Sequence, residues 1–591
     1  MFTFQEKEPP PIKIYNHHTM KTALSSALDY QHEKNMVLNK NFHPSSNFFH
    51  SDKILKNYLK ENSTSSGFSY MTGKLDLIGK EAAGRMNELS LTADKLSPEL
   101  IKRNSLGETI NEINFHPAYW ELMKIAVKSE MFRVKWEPSL REKFSTERHL
   151  LGFGSGYLFA MSECGQFCPL CMTDGVAKLI DLFCDDEDKA RLMPHIFTDN
   201  AADFFSGAMF LTEKTGGSDV GANIATATHI EGKKYLLNGE KWFCSNANAD
   251  LIFALARTDS GVKGTKGLSI FLVEKHLPSG EKNPIDIIRI KDKLGVRSMA
   301  SAECMLTDTV GKLVGNEFEG FKVMVEMINV SRLYNSVAAL ACSRRALAEA
   351  YQFLCYRETF GKPAVEHALI RTKLTELGSL HVADFYLVWR AVKSLELADA
   401  GNEREAQLLR IINPMTKKWS AETGVYITRE SMELMGGLGY IEDTVMPKLM
   451  RDSMVLPIWE GSGNIIILDM LRAMAKTKGF DVICEEISKS AVKSAEYGKW
   501  IKEELQKLVL FSEKLKKLSQ DEMEASAKPF FEKLTSIYQI SLLIDNLNTE
   551  SKEWILPALN YLKEKYSPAE GLKEITPLST VEVKGLIAWE F

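Results

Sequence analysis

LPIWEGSGNIIILDMLR, residues 456–472, sets a single acid, Glu460, between bulky apolar residues and a Gly-Ser-Gly-Asn turn that opens into a helix. An apolar wall disfavours the charged carboxylate and raises its pKa towards the range useful to a general base. On the other side, small residues and a helix N-terminus leave backbone N–H groups free to receive a polar or anionic ligand. The stretch therefore reads as a catalytic base beside a cofactor. An interhelix turn with a solvent-facing glutamate is the alternative reading of the same residues.

Outward from this turn the chain is helical on both sides. Leu374, Leu377, Leu380 and Leu387 form the apolar stripe of a bundle helix. MGGLGY (435–440) breaks two such helices, and a lysine- and glutamate-rich helical tail follows residue 475. Upstream the texture changes. KYLLNG, DLIFALAR, LSIFLVEK and IDIIRI are short β-rich runs, and Asn238-Gly239 is a hairpin signal between two of them. Before residue 206 helical periodicity returns, with Trp120, Met123, Ile125 and Ala126 as a stripe. The expected segments are an irregular N-terminal arm (1–80, with a flexible NSTSSGFS at 62–69), a helical domain (81–205), a β-domain (206–312), a helical bundle (313–475) and a helical extension (476–591). The fold class is mainly α with an inserted β-domain.

At 591 residues the chain exceeds one ordinary core, and 45% apolar with 26% charged residues is a globular composition. A net charge of −5 gives no global attraction to nucleic acid or anionic membrane. No apolar run is long enough to span a bilayer, and the first residues lack a signal core, so the cytoplasm is the expected compartment. Nine scattered cysteines suit buried reduced thiols. Cys164, Cys168 and Cys171 have the C-x3-C-x2-C spacing of an iron–sulfur ligand set. No strand–helix repeats follow them, and they are read as three small buried hydrophobes with no metal expected.

In the β-domain, LTEKTGGSD (211–219) offers N–H groups freed at Gly216 and Gly217 and the hydroxyls of Thr212 and Ser218. These could hold phosphate or the polar edge of a flat cofactor, or form a generic turn. In KWFCSN (241–246), Phe243 and Ser245 share one strand face, which could stack on a ring and donate to it or belong to an ordinary half-buried strand. RETFGKP (357–363) sets Arg357 before Phe360 and Gly361, where a guanidinium suits a pyrophosphate or a surface salt bridge.

In this order these motifs resemble the acyl-CoA dehydrogenase family over roughly residues 110–475. LTEKTGGSD is similar to its TEPxxGSD loop, KWFCSN to KxWIT, RETFG to RxxFG, MGGLGY to GGxG, and RDSMVLPIWEGSGN to RDxxxxxIYEGT. IWEGSGN, RIKDKLGVRSMAS and the long C-terminal extension resemble the AidB alkylation-response branch. The resemblance implies a helical domain, a β-barrel-like domain and a four-helix bundle, assembled as a homotetramer that binds FAD. It implies α,β-dehydrogenation of a fatty acyl-CoA, with Glu460 as base and the flavin as hydride acceptor. It places Met209, Leu211, Thr212, Gly217 and Ser218 on the flavin loop, and Phe243, Cys244 and Ser245 on the strand behind the ring. Ser462 and Asn464 fall on the turn after the base, and Arg357, Phe360, Gly436 and Gly437 at the adenine end. Arg332, with Ser218, falls on the substrate side. The family's alternative base position is Ser331 here, which cannot serve as a carboxylate.

The departures are Phe243 for the usual Trp, Trp459 for the usual Tyr, and Ala368 and Glu433 for two glutamines. Electron-transferring flavoprotein is an implied partner. Two alternatives share the resemblance: a stress-protective, DNA-associated flavoprotein, and a protein that sequesters long acyl-CoA with little turnover. Residues 476–591 hold 17 lysines, no arginine and 19 acids, a poor phosphate-binding balance.

Overall fold

In the computed structural model, residues 45–567 and 574–591 are described. The first 44 residues of the expected arm lie outside them. Residues 48–83 are mostly helical, not irregular: α1 (Lys53–Asn62) and α2 (Ser65–Ala83) lead to α3 (Arg85–Lys95). The Ser/Thr run at 62–69 is a helix start. The Thr64 hydroxyl accepts from Gly67 N–H at 3.0 Å, and Glu147 accepts from Thr64 N–H and its hydroxyl.

A second departure follows. A hairpin, β1 (Glu99–Arg103) and β2 (Thr109–Asn114), interrupts the expected helical domain. Helices α4 (Pro117–Lys128), α5 (Arg148–Ala160), α6 (Phe167–Phe183) and α7 (Asp186–Ile196) complete it. On α4, Met123 and Ala126 are buried as expected, but Trp120 is 46% exposed. Ala118, Tyr119, Leu122 and Val127 complete the buried face instead.

Strands β3 (Gly207–Phe210), β4 (Thr226–Glu231), β5 (Lys234–Ser245), β6 (Leu251–Arg257), β7 (Leu268–Glu274), β8 (Ile285–Ile290) and β9 (Ser301–Leu313) form one sheet. Its pairings β4–β5, β5–β9, β9–β7, β7–β6 and β6–β4 return to their start, so five strands close a barrel. Phe210, Leu237, Cys244, Phe271 and Cys304 belong to its separate core. Asn238-Gly239 is not a hairpin turn. β5 runs straight through it with a register shift against β9, and Gly239 takes φ +140° where a Cβ would sit 2.8 Å from Ala225 Cα. Glycine serves a bulge and a close approach here, and β4 turns into β5 at Gly232 (φ +53°).

The long helices α8 (Gly320–Tyr356), α9 (Ala368–Asp399) and α10 (Glu403–Leu434) pack together, and α11 (Gly463–Lys476) lies against α10. Leu374, Leu377, Leu380 and Leu387 are buried along α9. The extension, α12 (Gly479–Lys493), α13 (Gly498–Leu515), α14 (Gln520–Asp545), α15 (Lys552–Tyr566) and α16 (Thr580–Ile587), is built onto this bundle. Arg390 on α9 pairs with Glu486 on α12 at 2.7 Å, and Trp554 on α15 donates to the Tyr386 hydroxyl at 3.1 Å. Beyond α16, the Ala588 carbonyl accepts from Arg344 on α8 at 2.9 Å. No helix of the described residues is long and apolar enough to cross a membrane.

Candidate active site

Glu460 sits in the turn before α11 with φ +57°, followed by Gly461 at φ +105°. Two cations hold this left-handed turn by its carbonyls. Arg332 on α8 donates to Glu460 O at 3.4 Å, while Lys417 on α10 donates to Pro457 O at 3.1 Å and Gly461 O at 2.6 Å. Arg332 is committed further: its guanidinium pairs with Asp469 on α11 at 2.6 Å, which Arg410 also holds at 2.5 Å. Among the described residues no cation forms an ion pair with the Glu460 carboxylate itself. Burial pushes that carboxyl up to about 7, against the opposing pull of Arg332 and Lys417. Burial brings Lys417 down to about 7, with Glu460 opposing. The outcome is a half-buried carboxyl poised near neutrality and left unpaired.

Helix α6 faces this acid. Burial raises the Cys168 and Cys171 thiols, and the nearby Glu460 charge raises them further, Cys168 to about 12. The three thiols diverge. Cys164 meets Cys342, Cys168 meets the Ser245 hydroxyl, and Cys171 points at Ser331 O at 4.0 Å. Cys164 and Cys171 fill core as expected, but Cys168 is half-buried and lines the site. Through Cys168 the end of strand β5 and Glu460 come together. Ser331 is fully buried, beside Cys171.

On β5, exposed Phe243 and half-buried Ser245 flank buried Cys244, beside a register shift against β9 between Lys241 and Cys244. The Phe243 ring is 57% exposed, and Lys291 Nζ lies 4.6 Å from its centre. Ser245 Oγ lies 3.3 Å from Ser301 Oγ. Cys244 lies between Phe243 and Ser245. Its side chain is buried in the barrel core beside Cys304, so only its backbone faces the Phe243 side.

Met209 and Leu211 are half-buried at the end of β3, and Trp242 N–H donates to Thr212 O at 2.9 Å, tying the loop to β5. Sequence reasoning missed the group that anchors this loop. Glu213 is buried, pairs with Lys241 Nζ at 2.7 Å, and accepts from the N–H groups of Ile224 and Ala225 at 2.6 and 3.2 Å. An acid-to-lysine spacing of 28 residues carries no local periodicity that could have revealed it. Beyond Glu213 the loop is exposed at Gly217 and Ser218. A Cβ at Gly217 would lie 2.8 Å from Thr212 Oγ1, so a side chain would fill the cradle beside that hydroxyl.

Ser462 and Asn464 are exposed at the start of α11, next to Glu460, and the Ser462 hydroxyl makes no capping bond. Arg357, Phe360, Gly436 and Gly437 are not gathered with them. All four are exposed, Phe360 at 98%, and no hydrogen bond or ion pair among the described residues ties them to Glu460 or to the 211–219 loop.

Comparison with known proteins identifies the family. Residues 208–309 match the acyl-CoA dehydrogenase middle domain, and residues 319–475 match its C-terminal domain. AidB of Escherichia coli (strain K12) is 32% identical over 447 residues, 72% of this chain and 79% of its own. The chain belongs to the acyl-CoA dehydrogenase family. Residues 40–200 match the N-terminal domain of the adaptive response protein AidB, which places this acyl-CoA dehydrogenase in the AidB-like branch. Acyl-CoA dehydrogenase family member 11 of Caenorhabditis elegans is 28% identical over 533 residues, 85% of each chain. Among solved structures, Caenorhabditis elegans ACDH-11 in complex with C11-CoA aligns with a TM-score of 0.81 at 26% identity, covering 87% of this chain and 91% of that one. The apo form of Bd2924 aligns with a TM-score of 0.79 at 30% identity, covering 84% and 97%.

Proposed function

We propose that the protein is an FAD-dependent oxidoreductase that removes two hydrogens across the α,β-bond of a fatty acyl-CoA, with Glu460 as the base. The observation that carries this reading is the unpaired Glu460 carboxyl, raised to about 7 and facing the Ser245 end of β5 across Cys168. The residues present fit a flavin. An exposed Phe243 ring and the Ser245 hydroxyl stand on one strand face, and the glycine cradle at Gly217 adjoins the Thr212 hydroxyl. FAD would supply the hydride acceptor. The chain's own part is to hold the substrate, take the α-proton at a Glu460 carboxylate oxygen, and keep that oxygen aimed. Arg332 and Lys417 do the aiming by gripping carbonyls, which leaves the base without a direct ion pair.

A cavity of about 570 Å3 supports the CoA assignment. Trp120, Phe115, Asn248, Lys275, His276 and Lys282 are among its lining residues, and Asn248 is three residues beyond Ser245. An aromatic surface with lysines nearby suits an adenine nucleotide. The exposure of Arg357, Phe360, Gly436 and Gly437 supports a homotetramer in which a second copy brings the adenine end of FAD against them. The nine cysteines are all free, which suits a reducing compartment such as the cytoplasm. Electron-transferring flavoprotein is the proposed acceptor.

The test is the visible spectrum of the purified protein before and after anaerobic addition of acyl-CoAs of graded length. A bound flavin that bleaches is expected. Bound flavin that no acyl-CoA bleaches would move the reading to sequestration, and tight duplex-DNA binding in moderate salt would move it to the nucleic-acid role. A Gly217→Val change is expected to weaken FAD retention on gel filtration while shifting the melting temperature of the apoprotein little, because the loop is exposed there. Unchanged flavin content would remove the loop from the cofactor site.

A further inference from the structure

The segment between β8 and β9 is clamped from outside the barrel. Val296 N–H donates to Asp452 Oδ1 at 2.6 Å, and the Ser298 hydroxyl donates to Glu163 Oε1 at 2.6 Å. Inside this clamp Lys293 is directed towards the site. Its Nζ donates to Met299 O at 2.5 Å and to Ser301 Oγ at 3.4 Å. Ser301 Oγ in turn lies 3.3 Å from Ser245 Oγ, and Ser245 meets Cys168 opposite Glu460. A polar track therefore runs from Lys293 to the strand end assigned above to the flavin.

Lys293 has no ion-pair partner among the described residues. The carboxylates nearest in effect, Asp452 and Asp94, are engaged elsewhere, with Lys448 at 2.7 Å and with Arg451 at 2.8 Å. An ammonium withdrawn from water without a counter-charge is costly, and burial brings Lys293 down to about 8. Two of its three N–H donors are used, on a carbonyl and a hydroxyl, and neither acceptor carries a charge. A cation kept uncompensated at a site is the arrangement expected where a ligand supplies the opposite charge.

We propose that Lys293 is the residue that pairs with the negative charge gained by the flavin on reduction, acting along the Ser301–Ser245 edge. This rests on the reading above. In that reaction the substrate loses a proton to Glu460 and a hydride to the flavin, so the flavin gains one net negative charge for each two-electron reduction. A fixed ammonium at that edge stabilises the charge without having to move. Oxidised flavin, which lacks the added charge, gains much less from it.

The experiment is a redox titration of the FAD-loaded protein beside its Lys293→Met and Lys293→Arg variants, with the dissociation constant of oxidised FAD measured for each. For Lys293→Met, reduced FAD is expected to bind about tenfold more weakly relative to oxidised FAD, a midpoint about 30 mV more negative. Lys293→Arg is expected to recover most of the shift. An unchanged midpoint with normal FAD content would overturn the proposal. So would an equal loss of oxidised- and reduced-FAD affinity, which would assign the lysine to the pyrophosphate. Should Lys293→Met fail to fold, the Arg and Gln variants carry the same comparison. Wild-type protein that binds no FAD would instead overturn the function reading, so the two failures are distinct.

Discussion

Glu460→Gln is expected to retain FAD and to lose flavin bleaching by acyl-CoA, with a rate lowered roughly 10²–10⁴-fold, the usual contribution of one general base. Glutamine fills the same turn and keeps the φ +57° backbone, where the carbonyl of residue 460 still accepts from Arg332. Only the proton acceptor is removed. The wild-type rate should rise with pH through about 7 as the base ionises, and the residual rate of the variant should lack that step. Stability should move the other way. Folding raises this carboxyl from 4.5 to about 7, so between those values the folded protein holds a proton that the unfolded chain has released. Wild-type stability therefore falls as pH rises through that window, and the glutamine variant should melt higher than wild type at pH 8. A variant that still bleaches at the wild-type rate would remove Glu460 from the mechanism. A loss of rate accompanied by lower stability at pH 8 would point to damage of the turn.

The legible part of the site is the part that chemistry confines to short spacings. An acid on a glycine turn, a Gly-Gly loop with flanking hydroxyls, and an aromatic–hydroxyl pair two residues apart on a strand all lie within a few residues. Glu460, Gly217, Phe243 and Ser245 were therefore visible in the sequence. What holds them in place was not. Glu213 reads as one more polar loop residue until Lys241 arrives from β5, and Asp469 reads as a surface acid until Arg332 and Arg410 close on it. Cys168 looked like filler because its distinguishing neighbours, Ser245 and Glu460, are distant in sequence. The fold-level misreadings share one cause. Asn238-Gly239 and NSTSSGFS carry turn chemistry, but a bulge and a helix cap use the same residues as a hairpin and a loop.

Lys241→Met should produce the largest loss of stability among these changes and take the cofactor with it. Both partners of the Lys241–Glu213 pair are almost inaccessible, at 0% and 3% side-chain exposure, and Lys241 also donates to Leu255 O on β6 at 2.7 Å. Removing the lysine leaves the Glu213 carboxylate buried with two backbone N–H donors and no counter-charge. Breaking a buried pair from one side costs about 3–5 kcal/mol. The lower end is expected here, because those two N–H groups remain. The damage reaches function through geometry. Glu213 fixes the root of the exposed 215–219 segment against β5 and the approach to β4, so a loosened root should lower FAD occupancy even in molecules that stay folded. Urea unfolding of the apoprotein, with flavin content measured after gel filtration, separates the two effects. The double variant Lys241→Met with Glu213→Gln should recover most of the stability, since a neutral amide can keep an N–H acceptor without burying a charge. A single variant that loses under about 1 kcal/mol, or a double variant no better than the single, would show that the pair does not anchor the loop.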